Sequence, residues 1–241
     1  MNSIKQRFEF LKDDIDFPFY IDVPKLSTSD WLLMLCSIAL VVALIAVKSL
    51  SGGYLPILLF IVTVVPALYL CRGNLKIFFK KPKLRDFLTI ALCLVGYYIW
   101  AVLMVCLLVF VLQVPISANV ILETFKNPTL ITFIMPLFQL LGEEFFKIFT
   151  LLIVMHIVFK HTENRNLAIG LGIIVSITTF GLLHIKAYSN KILQIMLIQG
   201  LGSIFALYPY LKTKNVVNSY ILHLIVDYIP FTIIMLGSLY N

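Results

Sequence analysis

Charge is scarce in this sequence. Aspartate, glutamate, lysine and arginine make up 13% of its 241 residues, against about 25% in a soluble domain. Hydrophobic residues make up 61%, where a soluble domain carries about 45–50%. A chain of this size has too much surface to hide that excess in one aqueous core. A cytosolic enzyme and a DNA-binding protein are therefore excluded, and the chain is read as an integral membrane protein. The net charge of +7 does not restore a nucleic-acid reading. The cations cluster beside apolar segments, as in loops that meet anionic lipid.

Cysteine is also scarce. The four, Cys36, Cys71, Cys93 and Cys106, fall in or beside apolar runs. They lack CxxC or metal-ligand spacing, so they read as small hydrophobes rather than redox or zinc residues. The zinc-binding HExxH spacing is missing too, and no serine or cysteine stands beside a histidine as a covalent nucleophile would. Residue 2 is Asn rather than a Gly for myristoylation, and the chain ends Ser-Leu-Tyr-Asn without a prenylation box. No cleavable signal is expected, because the first apolar run follows some 30 charged and aromatic residues.

Long apolar runs, by contrast, are plentiful. A spanning helix needs about 20 apolar residues, and seven segments qualify: Trp31–Val47, Tyr54–Cys71, Phe87–Gln113, Leu130–Phe159, Leu167–His184, Ile192–Leu211 and Val216–Leu239. The expected fold is an all-α bundle of about seven transmembrane helices (six to eight). A polar arm, 1–30, precedes one multi-pass domain, 31–241. Arg72, Lys76, Lys80, Lys81, Lys83 and Arg85 form the densest basic loop. Placing that loop in the cytoplasm puts 14 Lys/Arg inside and 4 outside, with Lys147 in the membrane, which implies a cytoplasmic N-terminus.

The informative residues are those that do not belong in lipid. Glu143, Glu144 and Lys147 interrupt the fourth segment, His184 ends the fifth, and His223 and Asp227 interrupt the seventh. A charge at the bilayer centre costs roughly 2.5–3.5 kcal/mol on insertion scales, so a shared polar cavity is the economical explanation. Glu143 and Lys147 stand at i, i+4 in the favourable acid-before-base order, and Glu144 points about 100° away. His223 and Asp227 are also i, i+4, so Asp227 is expected to orient the imidazole, while Phe180 is expected to pack on His184. A carboxylate and a histidine can together deprotonate a water, and a second histidine can stabilise an oxyanion. Alternatively, Glu143, His184 and His223 would ligate zinc. His156 reads as a core or interfacial histidine and His161 as solvated. Trp31, Tyr54, Tyr208, Tyr210 and Tyr240 read as interface anchors. Gly170, Gly172, Gly200 and Gly202 read as sites of close helix packing.

Glu143-Glu144, then Phe180 to His184, then His223 to Asp227 resemble the ordered motifs EExxxR, FxxxH and HxxxN/D of the CPBP family. That family comprises the CAAX proteases and bacteriocin-processing enzymes, also called Abi. Lys212 to Asn215 resembles the family's lead-in to its third motif, and the likeness covers about 130–230. One position departs: the family's arginine falls on Ile148, with the nearest cation one residue early at Lys147. The resemblance implies a metal-free glutamate protease. In it Glu143 and His184 activate water, His223 and Asp227 form the oxyanion site, and Glu144 orients its neighbours.

The leading expectation is thus an intramembrane endopeptidase acting on a peptide or membrane-protein substrate in the bilayer, without nucleic acid. The Lys/Ile/Asn-rich chain without large loops suggests a bacterial plasma membrane and argues against prenylated substrates. A non-catalytic bacteriocin-immunity or regulatory protein that binds a membrane-protein partner is the alternative. A proton-relay transporter is disfavoured, since no repeated halves with matching broken helices are visible.

Overall fold

The computed structural model describes residues 16–46, 54–119 and 129–239, and these form the helical bundle expected. The helices are α1 (Thr28–Ala46), α2 (Leu55–Leu70), α3 (Leu84–Cys106, continued by a π-helical turn, Leu107–Val111) and α4 (Leu130–Thr162). They continue with α5 (Arg165–Leu183), α6 (Ile192–Thr213, π-helical over Ile195–Leu201) and α7 (Val216–Leu239). Each expected segment corresponds to one helix. Helices α1, α3, α5, α6 and α7 are long and apolar enough to cross a membrane, whereas α2 has only 16 residues.

Helix α4 differs in kind. It has 33 residues, about 50 Å at 1.5 Å per residue, and is buried on every side from Gly142 through Leu152. A helix apolar all round belongs at the centre of a bundle, and α1, α2, α5 and α7 pack around it. Thr129 caps its start by accepting from the Thr132 amide, and Glu163 ends it in the left-handed conformation. The main core joins α1, α2, α4, α5 and the end of α6, with a smaller cluster of Ile90, Cys93, Leu222 and Val226 between α3 and α7.

The described part of the N-terminal arm is not a loose polar appendage. Phe17, Phe19, Tyr20 and Leu26 are buried and belong to the main core. Asp16 holds Arg165 at the start of α5 (Nη2–Oδ1 2.6 Å) and accepts from the Tyr20 hydroxyl at 2.8 Å. Of the cysteines, Cys71 and Cys93 are buried, while Cys36 and Cys106 lie on the bundle's outer surface. A Cβ at Gly172 or Gly202 would meet neighbouring atoms within 3 Å, but Gly170 faces open space.

Candidate active site

The centre of α4 is where the polar residues meet. Gly142 presses on α2 so closely that a Cβ there would stand 2.9 Å from the Leu59 carbonyl. The next two residues are therefore enclosed: Glu143 is 7% exposed and Glu144 0%. Lys147 is also fully buried, and its Nζ lies 2.5 Å from Glu144 Oε1 and 4.6 Å from the centre of the Phe180 ring. The lysine thus pairs with Glu144 at i, i+3, not with Glu143 at i, i+4 as the spacing suggested. Both spacings place side chains on adjacent faces of a helix. Contacts from other helices decide between them, since Phe180 and His223 both lie on the Glu144 side.

His223 shows the same shift of partner. Its Nδ1 is 2.7 Å from Glu144 Oε1, the oxygen that also takes Lys147. Asp227, the expected orienting group, keeps its Oδ2 4.0 Å from Nε2. A carboxylate only accepts, so Nδ1 carries the proton and the ring is held at that edge. Nε2 is left facing Glu143 Oε2 at 3.8 Å and Asp227 at 4.0 Å.

His184 ends α5 and reaches the cluster from a third helix. Ser176 donates to the Lys147 carbonyl at 2.9 Å, so the antiparallel α5 brings His184, about 12 Å farther on, level with 139–143. Its Nδ1 lies 2.9 Å from the Phe180 carbonyl, and its ring meets Phe180 edge-on at 4.8 Å, as expected. Phe180 also touches the His223 ring, 5.9 Å away, so one phenyl packs against both imidazoles and covers the lysine. Asp227 feels the charges of His223, Glu143, His184 and Lys147. The structure therefore gathers Glu143, Glu144, His184, His223 and Asp227 into one cluster.

Sequence reasoning missed two members. Gln139, one turn before Glu143, donates Nε2–H to Glu143 Oε1 at 2.8 Å. An amide four residues before an acid on an apolar helix was the signal available. Tyr188, one turn after His184, lies close enough for Asp227 and Glu143 to act on its hydroxyl. His156 stays outside, half-buried and stacked on Trp31 with ring centres 4.1 Å apart, and His161 is exposed. Among the described residues, no three His, Cys, Asp or Glu side chains are arranged to hold a metal ion.

Apolar helices enclosing carboxylates, an ammonium and two imidazoles define a multi-pass membrane protein with the groups for acid–base chemistry. Residues 125–229 match the family described as type II CAAX prenyl endopeptidase Rce1-like, in agreement with the resemblance carried by the three motifs. The matched stretch contains all five clustered residues and supports, at the level of the family, a CAAX-type intramembrane peptidase. No curated protein and no solved structure matches the chain.

Proposed function

We propose that this chain is a metal-free intramembrane endopeptidase that cleaves a peptide or membrane-protein substrate in a bacterial plasma membrane. A water between Glu143 and His184 loses a proton to the Glu143 carboxylate and attacks the scissile carbonyl carbon. The oxygen that becomes negative is held by His223, which in its protonated form donates Nδ1–H to Glu144 and Nε2–H to the oxyanion, with Asp227 beside it. Collapse breaks the C–N bond, and Glu143 returns the proton to the leaving amine. General-base catalysis of this kind contributes about 10²–10⁴-fold, and an oxyanion donor about 10²–10³-fold.

The observation that carries this reading is the fixed His223 ring, anchored to Glu144 at 2.7 Å with its other nitrogen 3.8 Å from Glu143. The arrangement separates the carboxylate that anchors from the carboxylate left to react. Lysine here stands in for the family's arginine, supplying charge to Glu144 but not a bidentate clamp.

The test is a comparison of new peptide termini in membranes carrying the wild type, Glu143→Gln or His184→Ala. Termini dependent on the wild type should vanish with either variant and persist with His156→Ala. They should also persist after prolonged chelation of the purified, reconstituted protein. Identical termini in Glu143→Gln and wild type would remove hydrolysis from the protein and leave the immunity or scaffold reading. One tightly bound zinc whose removal abolishes cleavage would replace the glutamate mechanism with a metal one.

A further inference from the structure

Helix α6 carries two glutamines five residues apart, Gln194 and Gln199, on either side of the start of a π-helical stretch. In an ordinary α-helix such residues point about 140° apart. Hydrogen bonding from i to i+5 widens the turn and brings residues five apart onto roughly the same side. The distortion is held in place. The Trp100 indole donates to the Leu197 carbonyl at 2.8 Å, and a Cβ at Gly202 would stand 2.1 Å from the Ile198 carbonyl. A Cβ at Gly181 would come 2.8 Å from Gly200 Cα, so the stretch is also pressed against α5 beside His184.

Gln194 shows what an amide on this side does. It accepts from the Ser117 amide and donates to the Ser117 carbonyl, both at 2.8 Å, gripping one residue of the irregular segment after α3 by its main chain. Gln199 lies one π-turn farther along. Its side chain lies close enough to act on the Tyr188 hydroxyl, and its Oε1 is shut off from solvent without a hydrogen-bond partner. A buried acceptor left unpaired is destabilising, and the glutamine amide also carries N–H donors. Through Tyr188 it adjoins the Asp227 and Glu143 carboxylates.

We propose that Gln199 is a substrate-binding residue that grips the main chain of an extended peptide beside the Glu143–His223 centre, as Gln194 grips Ser117. Oε1 accepts a peptide N–H and an amide hydrogen donates to a peptide carbonyl. Recognition is by backbone, so this subsite tolerates varied side chains. The inference rests on the peptidase reading and adds where the substrate is held.

The experiment uses full-length reconstituted protein and a synthetic peptide spanning a Glu143-dependent cleavage site, together with a series N-methylated at one main-chain nitrogen at a time. Gln199→Leu should raise KM about 10-fold, the effect of losing roughly 1.4 kcal/mol, with kcat within about 2-fold. Its melting temperature should not fall, because an unpaired buried acceptor goes with the amide. One N-methyl position should raise KM for the wild type but not further for Gln199→Leu, since partners in one contact are non-additive. If Gln199→Leu folds poorly, Gln199→Met takes its place in the same comparison. A KM within 2-fold of wild type, or N-methyl effects that all add to the variant's, overturns the subsite while Glu143-dependent cleavage stands. Absence of any Glu143-dependent cleavage overturns both readings.

Discussion

Lys147 governs the charge balance of the cluster. It is the only cation given by the matched motif region at α4's centre, and its ion pair with Glu144 has no solvent contact. Ile148, where the family's arginine would fall, is fully buried in the apolar core with Phe145 and Phe149. A cation at 148 would be buried in that apolar cluster, whereas the step back to 147 rotates it by about 100° and pairs it with Glu144. Removing one partner of a buried pair typically costs about 3–5 kcal/mol, because it strands the other charge. Lys147→Met should therefore lower the melting temperature in detergent well below wild type, and Lys147→Arg should lower it less. Both variants melting with the wild type would mean that the pair contributes nothing to the fold.

At the scale of elements, the close approach of α4 to α2 sets the enclosure of the site. Gly142 has no room for a methyl group: the Leu59 carbonyl carbon and oxygen both lie 2.9 Å from where its Cβ would be. These are backbone atoms, which cannot rotate aside, so Gly142→Ala must separate the helices. Overpacking of this kind typically costs about 1–3 kcal/mol. Gly170→Ala, on α5 with nothing within 4 Å, should instead be neutral or stabilising by up to about 1 kcal/mol from helix propensity. Melting curves of the two variants check the contrast, and equal effects would contradict the α2–α4 packing. The helices themselves were legible as apolar runs, because each must satisfy its own backbone in lipid. The π-helical stretch of α6 was not, since its hydrogen bonds depend on Trp100 from α3 and on Gly181 from α5.

At the scale of the whole molecule, the N-terminal arm ties the bundle's end together. Burial pushes the Asp16 carboxyl upward, but hydrogen bonds from Arg165 and Tyr20 and the guanidinium charge outweigh it, leaving Asp16 below the usual value of 3.8. A carboxyl lowered in the folded state contributes stability that is present above its unfolded pKa and lost as pH falls through the folded one. The Asp16–Arg165 contact should hold at neutral pH and be released below about pH 3.8. Because Tyr20 also offers its carbonyl to His156, at 3.3 Å, and His156 stacks on Trp31, the release should change tryptophan emission. Asp16→Asn should reproduce that change at pH 7, and an unaltered emission in the variant would detach the arm from the core.

Composition and hydropathy were enough to establish a membrane bundle, the positions of its helices, and the residues out of place in lipid. They could do so because the cost of a charge in hydrocarbon is paid locally, residue by residue, and an apolar run declares itself without its neighbours. Partner choice was decided only by tertiary structure. Spacing along α4 and α7 offered Glu143 to Lys147 and Asp227 to His223, but the folded chain gives both Lys147 and His223 to Glu144. Gln139 and Tyr188 join the site only through the fold, because a polar side chain in an apolar bundle has no fixed meaning until its facing groups are known. The reason is geometric: a helix offers each buried group several neighbours at similar distances, and only packing against α5 and α7 decides which one it meets.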